Sequence, residues 1–94
     1  MRYSKTNLTK IETILKIQGY SIRYEKGNFN SGFCLLNSKK VIVINKFYDL
    51  KQRMDSFFQI IHLLSDFKPT LLSEEDQLLW NSMVNRSEQL KLVA

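Results

Sequence analysis

The chain has one cysteine, Cys34, one histidine, His62, one proline, Pro69, and three glycines in 94 residues. A lone cysteine forms no intrachain disulfide, and one cysteine with one histidine fills half of the four-coordinate shell of a structural zinc site, so neither prop of small domains is expected. No apolar run approaches the roughly 18 residues of a membrane span. The N-terminal MRYSKTNLTK carries charge with no apolar stretch behind it, so no secretory leader is expected. The expected compartment is the reducing cytoplasm, with no membrane association, and the sequons at Asn7 and Asn85 then carry no glycan. Internal repeats, low-complexity tracts and linkers are also missing, which leaves residues 1–94 as a single domain.

What is present suits a packed core: 44% hydrophobic and 12% aromatic residues. A chain this short buries only about 60–65% of its unfolded surface, so association with a second copy is the expected source of added stability. The net charge of +5 is uneven, with ten Lys and Arg against three acids in residues 1–51 and four against six in residues 52–94. A basic front half admits nucleic-acid binding, although the spacing of Lys5, Lys10 and Lys16 also fits the solvated face of a helix.

Leu8, Ile11, Ile14 and Leu15 recur at helical spacing, Thr9-x-x-Glu12 offers a capping box with Thr6 or Asn7 as an earlier start, and Gly19 is a stop. Tyr20, Ile22 and Tyr24 alternate with Ser21, Arg23 and Glu25, the period of a strand with one wet face. FCLL at 33–36 and VIVI at 41–44 are apolar runs separated by a hairpin signal. Asp49 caps a helix expected from Leu50 to Asp66, with Leu50, Met54, Phe57, Ile61 and Leu64 as its seam. Ser73 and the acids 74–76 open a third helix carrying Leu78, Leu79, Trp80, Met83 and Leu90. The expected fold is α+β in the order α-β-β-β-α-α, with a three-stranded antiparallel sheet packed with helices.

Most candidate chemistry fails on context. GNFNSG at 27–32 precedes a strand and lacks the Lys of a phosphate-binding loop. Cys34 lies between Phe33 and Leu35, where a thiol packs as a small hydrophobe, so a Cys34–His62 nucleophile and base is the weaker reading. Basic residues among aromatics nominate Arg23, Lys26, Lys39 and Lys40 as nucleic-acid contacts in the alternative reading.

VIVINKFYDLKQRMDSFFQIIHLL, residues 41–64, has a strand, a short link containing an arginine, and a helix. It resembles the core of the ImmA/IrrE-type metallopeptidases, zincin-like proteins whose helix carries HExxH. Ile42 to Asn45 resemble the strand end and Arg53 the arginine, while Phe58-Gln59-Ile60-Ile61-His62 falls on the motif. Carried over, position 62 keeps the second histidine. Position 58 is a phenylalanine, which cannot bind metal, and position 59 a glutamine, which cannot take a proton from zinc-bound water. The resemblance therefore implies a degenerate core with no catalytic residues, no metal and no cofactor. Separately, RYEKGNFNSGFCLL with VIVINKF resembles a family of short, uncharacterised bacterial proteins sharing R-Y-E-K-G-x-F and a V-x-N-K strand end; it implies no activity.

At 100° per residue, Asp55, Gln59, His62 and Asp66 share a polar stripe, with Phe58 at its border and His62 in reach of Asp66. The expectation is a non-catalytic protein, a pseudoenzyme acting as a small protein-interaction module or homodimer with a protein partner of unknown identity. Phe58, Gln59, His62 and Asp66 are the candidate interaction or remnant site. The alternative is a nucleic-acid-binding module using the basic N-terminal half.

Overall fold

The computed structural model describes residues 1–28, 32–36, 39–64 and 67–93, with side-chain surroundings for all of these except 32–36, 39, 62 and 90–93. Ser4 opens the first helix, α1 (Lys5–Ile17): from an extended backbone its Oγ accepts a hydrogen bond from the Asn7 amide at 3.1 Å, satisfying one donor that a helix start leaves over. Thr9 is thus inside the helix and caps nothing; its carbonyl accepts from Thr13 Oγ1. Leu8, Ile11, Ile14 and Leu15 are the buried stripe. Gly19, at φ +93°, makes the left-handed turn that releases the chain into β1 (Tyr20–Glu25).

β2 (Gly32–Leu36) and β3 (Lys39–Asn45) complete a sheet in the order β1-β3-β2. The expected all-antiparallel sheet is overturned. β2 runs antiparallel to β3, with Cys34 opposite Val41, but β1 runs parallel to β3, with Tyr20 opposite Lys40 and Tyr24 opposite Ile44. Composition accounts for β1 at an edge: the alternating Tyr20–Glu25 suits a strand with one wet side, whereas FCLL and VIVI are both apolar on the two sides of the pleat. Placing β3 in the middle requires the chain leaving β1 to cross the end of β3. Buried Asn45 holds the crossing: its Nδ2 donates to the Gly27 carbonyl at 3.1 Å, and next to it the Lys46 amide donates to the Glu25 carbonyl at 2.8 Å.

Helix α2 (Leu50–Ile60) starts with a full capping box, in which Asp49 Oδ1 accepts from the Gln52 amide at 2.8 Å and Gln52 Oε1 accepts from the Asp49 amide at 3.0 Å. It is shorter than the expected span to Asp66. It ends at Ile60, tightens into a 3-10 turn over Ile61–Leu63, and Leu64 is extended. A second 3-10 turn, Pro69–Leu71, leads to α3 (Glu74–Val93), whose Asp76 amide is capped by Ser73 Oγ. Gln18, buried at the end of α1, ties this connector down: its Oε1 accepts from the Lys68 amide at 2.8 Å and its Nε2 donates to the Lys68 carbonyl at 3.0 Å. Beside it, Phe67 and Trp80 stack at 3.8 Å.

The core lies between the sheet and the helices. Tyr20, Ile42 and Ile44 meet Ile11 and Ile14 of α1, Met54, Phe57 and Phe58 of α2, and Trp80 and Met83 of α3 in one buried cluster. The opposite face of β1 is wet, with Ser21, Arg23 and Glu25 exposed. Among the described residues no helix is long and apolar enough to cross a membrane.

Candidate functional site

The α2 stripe is not the open surface that its polar periodicity suggests. Phe58 is fully buried, with 0% exposure, and its ring lies 6.4 Å from that of Tyr3 in a tilted contact. The N-terminal residues preceding α1 fold over this side of α2. Tyr3 donates from its hydroxyl to Asp55 Oδ1 at 2.5 Å and accepts from Arg86 Nη2 of α3 at 2.7 Å, while Lys51 Nζ reaches Asp55 Oδ2 at 2.8 Å. Lys51 and Arg86 also lie over the Tyr3 ring, at 5.3 and 5.5 Å from its centroid. Phe58 as a contact residue for a partner is therefore corrected: its ring is sealed beneath a polar lid made by three separate parts of the chain. Gln59, one residue on, is exposed.

The two ends of the HExxH-like stretch are not carried on one continuous α-helix. Position 58 is in α2, and position 62 falls in the 3-10 turn that follows it. The side chain of His62 and the whole of Asp66 lie outside the described residues. The helical geometry assumed for their contact does not extend that far, since the backbone is already extended at Leu64. Among the described residues no three His, Cys, Asp or Glu side chains gather.

A second polar cluster sits where β3 hands over to α2. Arg53 reaches back from α2 to the link, donating from Nε to the Tyr48 carbonyl and from Nη2 to the Lys46 carbonyl, each at 2.9 Å. Its guanidinium lies 4.7 Å from the Tyr24 ring centroid, and the Tyr24 hydroxyl donates to Glu12 Oε2 at 2.9 Å. Burial, followed by the Glu12 hydrogen bond and charge, pushes the Tyr24 hydroxyl well above its usual pKa, with the Arg53 charge opposing. A pKa raised by folding contributes stability that is full below the unfolded value, about 10, and is lost as pH rises beyond it. The protein is thus expected to lose stability progressively above pH ~10, and Tyr24→Phe to flatten that slope in denaturant melts taken from pH 8 to 11. An unchanged slope in the variant would assign the alkaline loss to other groups.

Of the basic residues of the alternative reading, Arg23 and Lys40 lie on opposite faces of the sheet. Arg23 is on the wet side of β1 with Nη1 3.9 Å from Glu25 Oε1, and exposed Lys26 follows the strand. Lys40 shares the helix side of the sheet with Tyr20, its Nζ 5.1 Å from that ring's centroid. Arg23 pairs with Val43, three residues along β3 from Lys40, or about 10 Å, and on the other face. The side chain of Lys39, like that of Cys34, lies outside the described residues.

Tyr3 and Arg86 are the residues that the periodicity of the sequence misses. One lies ahead of the first helix and the other on the polar side of the third, and their partners are 52 and 83 positions away from Tyr3 along the chain. The alternation of Met1 and Tyr3, both packed on the core, was the available signal. No protein-family model, curated protein or solved structure matches this chain significantly.

Proposed function

We propose that the chain is a non-catalytic protein-interaction module of the cytoplasm that pairs with a second copy of itself, using a strand-and-helix core that resembles a metallopeptidase's as scaffold. The observation that carries this reading is the burial of Phe58. In an HExxH helix that position presents an imidazole to a metal in a cleft, whereas here it supplies a fully buried ring to the core. Gln59, where a general base belongs, is a neutral amide that takes up no proton at neutral pH. The helix's polar side is occupied by Tyr3, Asp55, Lys51 and Arg86, all engaged with one another. Substrate access to this face would require that lid to open.

Association is supported by what the fold leaves uncovered. Phe47, Leu71 and Leu78 keep 71%, 53% and 68% of their surface exposed in a domain too small to bury a large core. Sedimentation equilibrium over a dilution series is expected to give a dimer at tens of micromolar protein that dissociates on dilution. A monomer at several hundred micromolar would remove the self-pairing half of the proposal, and stoichiometric zinc dependent on His62 would remove the non-catalytic half.

A further inference from the structure

Among the described residues the outer edge of β1 carries no paired strand: in the order β1-β3-β2, β1 bonds to β3 along its other side. Such an edge presents a row of free backbone donors and acceptors, which proteins either guard with charge or match with a strand from another chain. The edge here carries both signs. Arg23 and Glu25 occupy its wet side, their side chains 61% and 51% exposed.

We infer that a second copy of this chain adds its β1 antiparallel to this edge about a two-fold axis at Tyr24, so that Arg23 of each copy faces Glu25 of the other. This rests on the self-pairing reading and adds the surface and register. A two-fold perpendicular to the sheet keeps the wet residues of both copies on one face, so the axis passes through a residue position and the neighbouring choices can be compared. Centred on Arg23, it sets two guanidiniums opposite each other, which is unfavourable. Centred on Ile22, it sets Arg23 against Ser21 and leaves Glu25 beyond the pairing. Centred on Tyr24, it forms two crossed Arg23–Glu25 pairs, the arrangement that stabilises antiparallel neighbours. The contact between Arg23 and Glu25 within one chain is long and exposed, and it leaves both charges available to a second copy.

The test is a charge swap in the full chain, read by sedimentation equilibrium at moderate salt. Arg23→Glu and Glu25→Arg, each alone, put like charges opposite each other twice per dimer, and each is expected to raise the dissociation constant about tenfold or more. The double variant R23E/E25R restores both crossed pairs and is expected to dimerise like the original chain. An equimolar mixture of the two single variants is expected to form a heterodimer tighter than either homodimer. Both positions are exposed, so unchanged melting temperatures of dilute monomer should accompany these shifts. A wild-type dimer indifferent to the single changes, or a double variant as weak as the singles, overturns the edge assignment while leaving self-pairing intact. A wild-type chain that stays monomeric overturns both.

Discussion

Phe58→Ala is expected to lower the unfolding free energy by about 3–5 kcal/mol, a large share of the roughly 5–15 kcal/mol that holds a small domain folded. The ring has no exposed surface and shares a cluster with Phe57, Trp80 and Met83, with Tyr3 tilted against it. Truncation removes the transfer free energy of the ring and leaves a cavity bounded by α2, α3 and the N-terminal residues. The hydrogen bonds joining Tyr3, Asp55 and Arg86 resist the collapse that would fill it. Gln59→Ala, one position along on an exposed site, is expected to change stability by no more than about 0.5 kcal/mol. Urea melts of the two variants make the comparison directly. A loss below about 1 kcal/mol for Phe58→Ala would place the ring outside the packed core and return it to the surface as a contact residue. Phe58→His is expected to destabilise as well, because it buries a polar ring where a phenyl packs, and to recruit no zinc.

The polar lid over Phe58 also shows where sequence periodicity stops being informative. Residues whose burial is decided within one element are legible: Leu8, Ile11, Ile14 and Leu15 repeat at helical spacing and are the buried side of α1, and Tyr20 to Glu25 alternate and form a strand with a wet side. A helical wheel assigns Phe58 to the margin of a polar stripe because it counts only the neighbours on the same helix. Tyr3 and α3 arrive from elsewhere and bury it. The parallel pairing of β1 with β3 is hidden for a related reason. Two strands and a turn signal look the same whether the preceding strand pairs with the first or crosses to the second. The apolar runs FCLL and VIVI give no preference for which of the two lies in the middle, and the bonds from Asn45 and Lys46 that fix the crossing join residues 18 and 21 positions apart. The end of α2 is set locally yet remains illegible, since IHLL continues the apolar repeat past the residue where the backbone turns away.

Arg53→Ala is expected to cost about 2–3 kcal/mol, more than its half-exposed position alone suggests, because the guanidinium fork is what closes the link between β3 and α2. Its two donors hold the Lys46 and Tyr48 carbonyls at 2.9 Å, and its plane covers the Tyr24 ring. Removing it leaves both carbonyls to water and uncovers a tyrosine whose hydroxyl is already committed to Glu12. Lysine keeps the charge and the ring contact but lacks two donors in a rigid plane, so Arg53→Lys is expected to recover about half of the loss. The two variants separate fork from charge. If lysine restores full stability, the cation over Tyr24 is the operative contact; if lysine is no better than alanine, the two-carbonyl fork is. Hydrogen exchange adds a local readout: the Tyr48 amide, which donates to the Asn45 carbonyl at 3.1 Å, is expected to lose protection in Arg53→Ala before the core amides of β3 do. Early loss there would show that the arginine serves to seat the helix on the sheet.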